Sequence, residues 1–279
     1  MRHSPLSIAA LTGAPPEGAP SGAAAYLPAL VAVAHGSTDP RAAATVGALL
    51  SLVRAQAVQA GLHGLDVRAA FLGHAAPTIG QALGAVRGEA VVLPLLLTAA
   101  HHSKTDIPRA LHEARAARPR LAVSYGAPLG PHPLLLRALD RRLAEVAGPA
   151  GIAGARPEET AVVLAAAGSS DPAANAVISD LAAAWQAERG WRAVQPAYAS
   201  AASPAPAEAV AAARDAGARL VLVATYLLSP GVFADQVRRD CLAAGAAAVT
   251  PVLGAAPEVA GVVLGRYAES LADGAAAAG

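Results

Sequence analysis

Short apolar runs along this chain alternate with longer stretches whose apolar positions recur at helical spacing. Four runs fill the first half: Tyr26–Ala34, Leu65–Leu72, Glu89–Leu97 and Leu121–Tyr125. Within the third, Val91–Leu97 is apolar throughout, which predicts a strand covered on both faces, as in a parallel sheet. Between the runs the spacing predicts helices over 41–59, 78–86, the later part of 102–118, and 134–146. Leu49, Leu50, Val53 and Ala57 share one face of the first helix. Asp39 ahead of Pro40 reads as an N-cap with proline at the first helical position. Alternation with turns of a few residues predicts right-handed βαβ units and a four-stranded parallel sheet with helices on both faces.

The pattern then begins again. Residues 148–159 (GPAGIAGARPEE) read as a linker. Beyond it Thr160–Ala166 is an apolar strand ending in Ala167-Gly168-Ser169-Ser170-Asp171-Pro172, which aligns with His35-Gly36-Ser37-Thr38-Asp39-Pro40. Tyr198-Ala199 and Pro204 match Phe71-Leu72 and Pro77, and Leu220–Leu228 matches Val91–Leu97. Gly231–Asp235 matches His102–Asp106, and Gly254–Pro257 echoes Gly126–Leu129. Landmarks in the same order indicate an internal duplication. The expected organisation is a disordered leader over 1–25, an α/β lobe over 26–147, the linker, a degenerate repeat over 160–272 and a disordered tail over 273–279.

The duplication is unequal. Where the first half has His35 the second has Ala167, and where it has His102 the second has Gly231. The second half keeps the turn-forming residues and loses the groups that bind or titrate. Chemistry is therefore expected in the first half, with the second as the opposite wall of a cleft. Open α/β sheets bind ligands beyond the carboxyl ends of their strands. At those ends lie His35, His74, the adjacent His101 and His102, Lys104 (the chain's only lysine) and Asp106. Imidazoles suit divalent transition metals, and a group of their ordinary pKa also accepts protons at neutral pH. Asp106, two residues before Pro108, reads as a helix cap in preference to a ligand. His63 and His112, away from the strand ends, are expected at the surface.

Composition narrows the classes. At 54% hydrophobic and 15% charged residues a sizeable core is assured. A net charge of +1 gives no electrostatic case for nucleic acid or a membrane surface as partner. One cysteine, Cys241, excludes an internal disulfide and an all-cysteine metal site. No apolar run reaches membrane-spanning length, and Pro15, Pro16 and Glu17 follow the short patch Leu6–Leu11 too closely for a secretory signal. A cytoplasmic protein is expected. The strand-to-helix turns contain neither a dinucleotide fingerprint nor a P-loop.

His35-Gly36-Ser37 after the first strand, and a histidine four residues before Asp106-Ile107-Pro108 after the third, resemble the sirohydrochlorin chelatase family. Phe71-Leu72 with Pro77, and Gly126-Ala127-Pro128-Leu129-Gly130, also look like that family. The resemblance covers about Leu27–Ala272. It implies two tandem Rossmann-like, chelatase-type lobes and insertion of Fe2+ or Co2+ into a tetrapyrrole, in siroheme or cobalamin biosynthesis. It implies His35 and His102 as catalytic and metal-site residues. The family often has a glutamate where Gly73 stands, which leaves the next residue, His74, as a third metal-site candidate. The family's substrate carries many carboxylates, so Lys104, Arg41 and Ser37 are expected to bind it. The metal is then a substrate with no permanent cofactor, and the expected partner is the tetrapyrrole, not nucleic acid or membrane. A monomer or a homodimer suits a fused pair of repeats. The alternative is a divalent-metal carrier or sensor with the same histidines and no macrocycle chemistry.

Overall fold

A computed structural model of the chain describes residues 27–98, 105–148, 152 and 156–278. The expected leader lies outside the described residues, as do His101, His102, Ser103 and Lys104. The first half runs β1 (Ala29–Ala34), α1 (Pro40–Gln59), β2 (Val67–Phe71), α2 (Ile79–Gly84), β3 (Glu89–Pro94), α3 (Ile107–Ala117), β4 (Ala122–Tyr125) and α4 (Pro133–Ala147). A short 3-10 turn, Pro157–Glu159, leads into the second half. There follow β5 (Thr160–Ala166), α5 (Pro172–Arg189), β6 (Ala193–Tyr198), α6 (Pro206–Asp215), β7 (Leu220–Tyr226), α7 (Val232–Ala243), β8 (Ala248–Val249) and α8 (Pro257–Ala278).

Each half forms one four-stranded parallel sheet, in the orders β2-β1-β3-β4 and β6-β5-β7-β8. The chain leaves β1 toward β2 on one side of the sheet, and leaves the adjacent β3 toward β4 on the other. The crevice of an open sheet forms at such a reversal, just past the end of β1. All six residues of β1 and all seven of β5 are buried, as expected of central strands covered on both faces.

Alternate residues of β1 serve different cores. Val31 and Val33 face α2 and α3 with Ile79, Leu83, Ile107 and Leu111. Val163 and Val223 of the second sheet pack likewise with Val210 and Val237, and with Cys241, which is fully buried on α7 as a small core residue. Leu30 and Leu93 of the first sheet, however, share one core with Leu164 and Leu222 of the second. The helices between the sheets supply its bulk, with Leu49 and Val53 from α1, Leu139 from α4, Trp185 from α5 and Tyr267 from α8. The layers thus run helix, sheet, helix, sheet, helix, and the middle layer belongs to both halves.

The halves exchange their last helices within that layer. α4, from the first half, packs on β7 and β8, while α8, from the second, packs on α1, β3 and β4. Trp185 donates its indole N–H to Asp140 of α4 at 3.0 Å. A Cβ on Gly126, at the end of β4, would lie 2.4 Å from Ser270 Oγ of α8 and 2.3 Å from Leu93, so glycine is what lets α8 approach. α8 continues to Ala278, so the unstructured tail expected from 273 onward is helical up to that residue. The tail is an alanine run, and alanine has the highest helix propensity.

Candidate active site

The backbone at the end of β1 sets the site. Gly36 has φ of +88°, and a Cβ there would lie 1.8 Å from the carbonyl oxygen of Gly73. Only glycine allows the loops after β1 and β2 to close together in this way. Leu72 N–H donates to Ala34 O and Gly73 N–H to His35 O, which extends the β1–β2 ladder past the strands' ends. His35 and His74 therefore stand on adjoining loops, both exposed. His74 has φ of +60°, a left-handed conformation uncommon for any residue but glycine. Both imidazoles line a cavity of about 670 Å3 that runs between α2 and α3 past Asp106, Arg109 and Glu113.

A second cavity, of about 560 Å3, lies between the lobes at the carboxyl ends of β1, β3, β5 and β7. Its first-lobe wall includes His35, Leu95 and Leu96, and its second-lobe wall Ile178, Leu228 and Phe233. The second half does form the opposite wall. His35 belongs to both cavities and stands on the divide between a groove of mixed polar and apolar lining and a largely apolar cleft. Its Nδ1 lies 3.0 Å from the carbonyl oxygen of Gly36. A carbonyl only accepts, so Nδ1 carries the proton in that contact. In that tautomer of the neutral ring the lone pair is on Nε2, the nitrogen that suits a metal ligand.

Several side chains have specific structural partners. Ser37 Oγ accepts from Asp39 N–H at 3.1 Å and shapes the turn into α1. Asp39 caps α1 through Arg41 N–H at 2.9 Å. Arg41 is held between two carboxylates. Its Nε and Nη2 donate to Asp39 at 3.0 and 2.6 Å, and its Nη1 and Nη2 donate to Asp235, on the first turn of α7, at 3.2 and 2.5 Å. The guanidinium lowers both carboxyls below the usual carboxylate range, chiefly through these hydrogen bonds. Asp106 was expected to cap α3, but it makes no side-chain cap bond. Its own backbone is already helical (φ −72°, ψ −45°), whereas a capping residue needs an extended one. It pairs with Arg109 at 3.7 Å. His63 and His112 are exposed, as their positions implied.

The second lobe repeats the scaffold without the imidazoles. Gly168 has φ of +86°, and a Cβ there would meet Ser200 O at 2.0 Å. Ser169 Oγ accepts from Asp171 N–H at 3.0 Å, as Ser37 does from Asp39. Ala167 stands in the place of His35, and Ala201, with φ of +58°, in that of His74. Two residues here were not among the candidates. Asn175 clamps both backbone groups of Ser169, at 3.0 and 2.7 Å, and lines the cleft. Asp235 carried one signal, its alignment with Asp106 in the repeat. Tyr226, at the end of β7, donates to Leu97 O at 3.3 Å and ties the lobes together beside the cleft. Burial raises its phenol pKa.

Comparison with known proteins places this geometry. The CbiX family model matches residues 29–146 and again residues 161–270. A sirohydrochlorin ferrochelatase of Priestia megaterium is 29% identical over 224 residues, covering 77% of this chain and 78% of that protein. A sirohydrochlorin cobaltochelatase of the same organism is 28% identical, covering 76% of this chain and 68% of that protein. SirB from Bacillus subtilis with Fe3+ superposes with a TM-score of 0.74 at 25% identity, over 90% of this chain and 98% of that one. The sirohydrochlorin chelatase SirB from Bacillus subtilis subspecies spizizenii, in complex with cobalt, has the same fold, with a TM-score of 0.70 at 22% identity over 89% and 97%. With a family match along each half and the same two-sheet architecture in its neighbours, the chain belongs to the CbiX family.

Proposed function

We propose that this protein is a sirohydrochlorin chelatase, inserting Fe2+ or Co2+ into the macrocycle with release of two protons. The observation that carries the reading is the position of His35, at the junction of a groove that also holds His74 and an apolar cleft where strand ends of both sheets meet. A planar macrocycle suits the cleft, and His35 and His74 offer two imidazoles in the groove to a metal ion. Insertion replaces two pyrrole N–H bonds by metal–nitrogen bonds, so each cycle needs acceptors for two protons. His35 Nε2 holds the metal first and, once the ion has passed to the macrocycle, its freed lone pair accepts one of the protons. His74, on the adjoining loop, assists in holding the metal. His102 takes the same roles on the strength of its sequence motif. Arg41 and Lys104 are the cations for substrate carboxylates, and Ser37 holds the turn that presents His35.

Anaerobic absorbance tests this. Purified protein is mixed with sirohydrochlorin and Fe2+ or Co2+, and the shift of the macrocycle bands on metallation is followed. A protein-dependent rate is expected, reduced by about 100-fold or more in His35→Ala. Metal binding with no acceleration by the wild-type protein would refute the assignment in favour of a metal carrier. The ratio of the iron and cobalt rates identifies the preferred metal.

A further inference from the structure

Arg41 links the lobes at the mouth of the cleft. Its sequence neighbour Ala42 lines the cavity from the first lobe, and Ala234, next to Asp235, lines it from the second. The guanidinium is shared by two carboxylates that differ in kind. Asp39 is also bound by the backbone of Arg41 as the cap of α1 and is 21% exposed in its side chain. The carboxylate of Asp235 is 54% exposed and, among the described residues, hydrogen-bonds only to Arg41. One guanidinium between two carboxylates leaves a net negative charge at the entrance. An anionic ligand gains little from Arg41 while Asp235 holds it. Exposed ion pairs are weak and exchange readily in water.

We propose that Asp235 is the resting partner of Arg41 and a positioning residue for substrate: a carboxylate of the incoming macrocycle takes its place on Nη1 and Nη2. Asp39 keeps the Nε side throughout, so the guanidinium stays aimed across the cleft. The lobe without imidazoles thus sets how tightly the anionic substrate is held and how readily the metallated product leaves. This rests on the reading of the protein as a chelatase of a carboxylate-bearing tetrapyrrole.

The test is a double-mutant cycle on binding of metal-free sirohydrochlorin, followed by fluorescence at two ionic strengths, with kcat and KM measured alongside. Asp235→Asn is expected to tighten binding about threefold to fivefold, since an exposed pair is the competitor removed. KM should fall with it, and kcat should fall if product release limits turnover. Arg41→Gln is expected to weaken binding about tenfold or more. In the Arg41→Gln background Asp235→Asn should have no further effect; with Arg41 intact, Asp235→Glu should keep wild-type affinity. Both positions are exposed, so the fold survives each change. Unchanged or weaker binding in Asp235→Asn overturns the proposal. So does an equal gain in both backgrounds, which would mark general charge repulsion. Those outcomes leave the chelatase reading standing, whereas a wild-type protein that binds no sirohydrochlorin removes both.

Discussion

The hydroxyl of Tyr267 donates to the carbonyl of Pro28 over 2.7 Å, joining the last helix of the chain to the residue just ahead of its first strand. The ring is fully buried in the core shared by both sheets. Tyr267→Phe leaves that carbonyl short of a partner and is expected to cost about 1–2 kcal/mol, read from urea unfolding. The helix exchange predicts more. Residues 27–148 expressed alone should stay unfolded by near-ultraviolet circular dichroism and should fold when residues 156–279 are added. A cooperatively folded 27–148 fragment would show that the exchanged helices are dispensable.

Gly36 and Gly168 hold equivalent turns, one beside His35 and the other beside Ala167. Alanine at either position meets a carbonyl oxygen of the neighbouring loop at 2.0 Å or less, on a left-handed backbone. Each substitution is expected to destabilise by about 2–4 kcal/mol. Thermal unfolding of the pair should give similar losses, because the obstruction is the same whether or not an imidazole follows it. A large loss at Gly36 alone would mean that the two turns are not structurally equivalent.

His132 caps α4, its Nδ1 accepting from Leu134 N–H at 3.1 Å. Burial first, and Arg266 second, lower its pKa from 6.5. The folded protein therefore resists a proton that the unfolded chain takes up. The stabilisation is complete above about pH 6.5 and is lost as the pH falls through the lowered folded value. Protonation also removes the lone pair that makes the cap. Denaturant midpoints measured between pH 7.5 and 5 should decline in the wild type. They should decline less in His132→Asn, which keeps a capping acceptor without titrating. Equal slopes for the two proteins would contradict this account.

Val232 and Phe233 open α7 with side chains on the cleft wall, 79% and 43% exposed. As an apolar shelf they suit the face of a macrocycle. Serine at either position should change stability by less than about 0.5 kcal/mol, since little burial is lost. Phe233→Ser should weaken sirohydrochlorin binding roughly tenfold, the loss expected for a ring that becomes covered on binding. Unaltered affinity in a fluorescence titration would place the macrocycle elsewhere.

The central strands were legible because their runs, as in Ala29–Ala34 and residues 161–166, are apolar without interruption, and the turn at Gly36 because histidine, glycine and serine sit where a strand must end. The duplication exposed which turn residues are scaffold. Arg41 shows where such reading stops. As a sequence neighbour of Asp39 it looks like a free cation, and nothing local reveals a second partner 194 residues away. The expected helix over 134–146 likewise carried no sign of the sheet it would cover, and α8 was not foreseen as an exchanged helix. Asp106 misled for a local reason: the chain ahead of α3 is already helical at that residue, so the usual extended cap conformation is absent.

The exchange of α4 and α8 also bears on stoichiometry. The second half supplies the helix lying against β3 and β4 of the first sheet. Deleting it would remove part of the first lobe's own interior. A version built from one repeat could restore both cores by pairing two chains, each lending its last helix to its neighbour. The fused chain keeps that reciprocal loan within a single molecule, where it no longer depends on concentration.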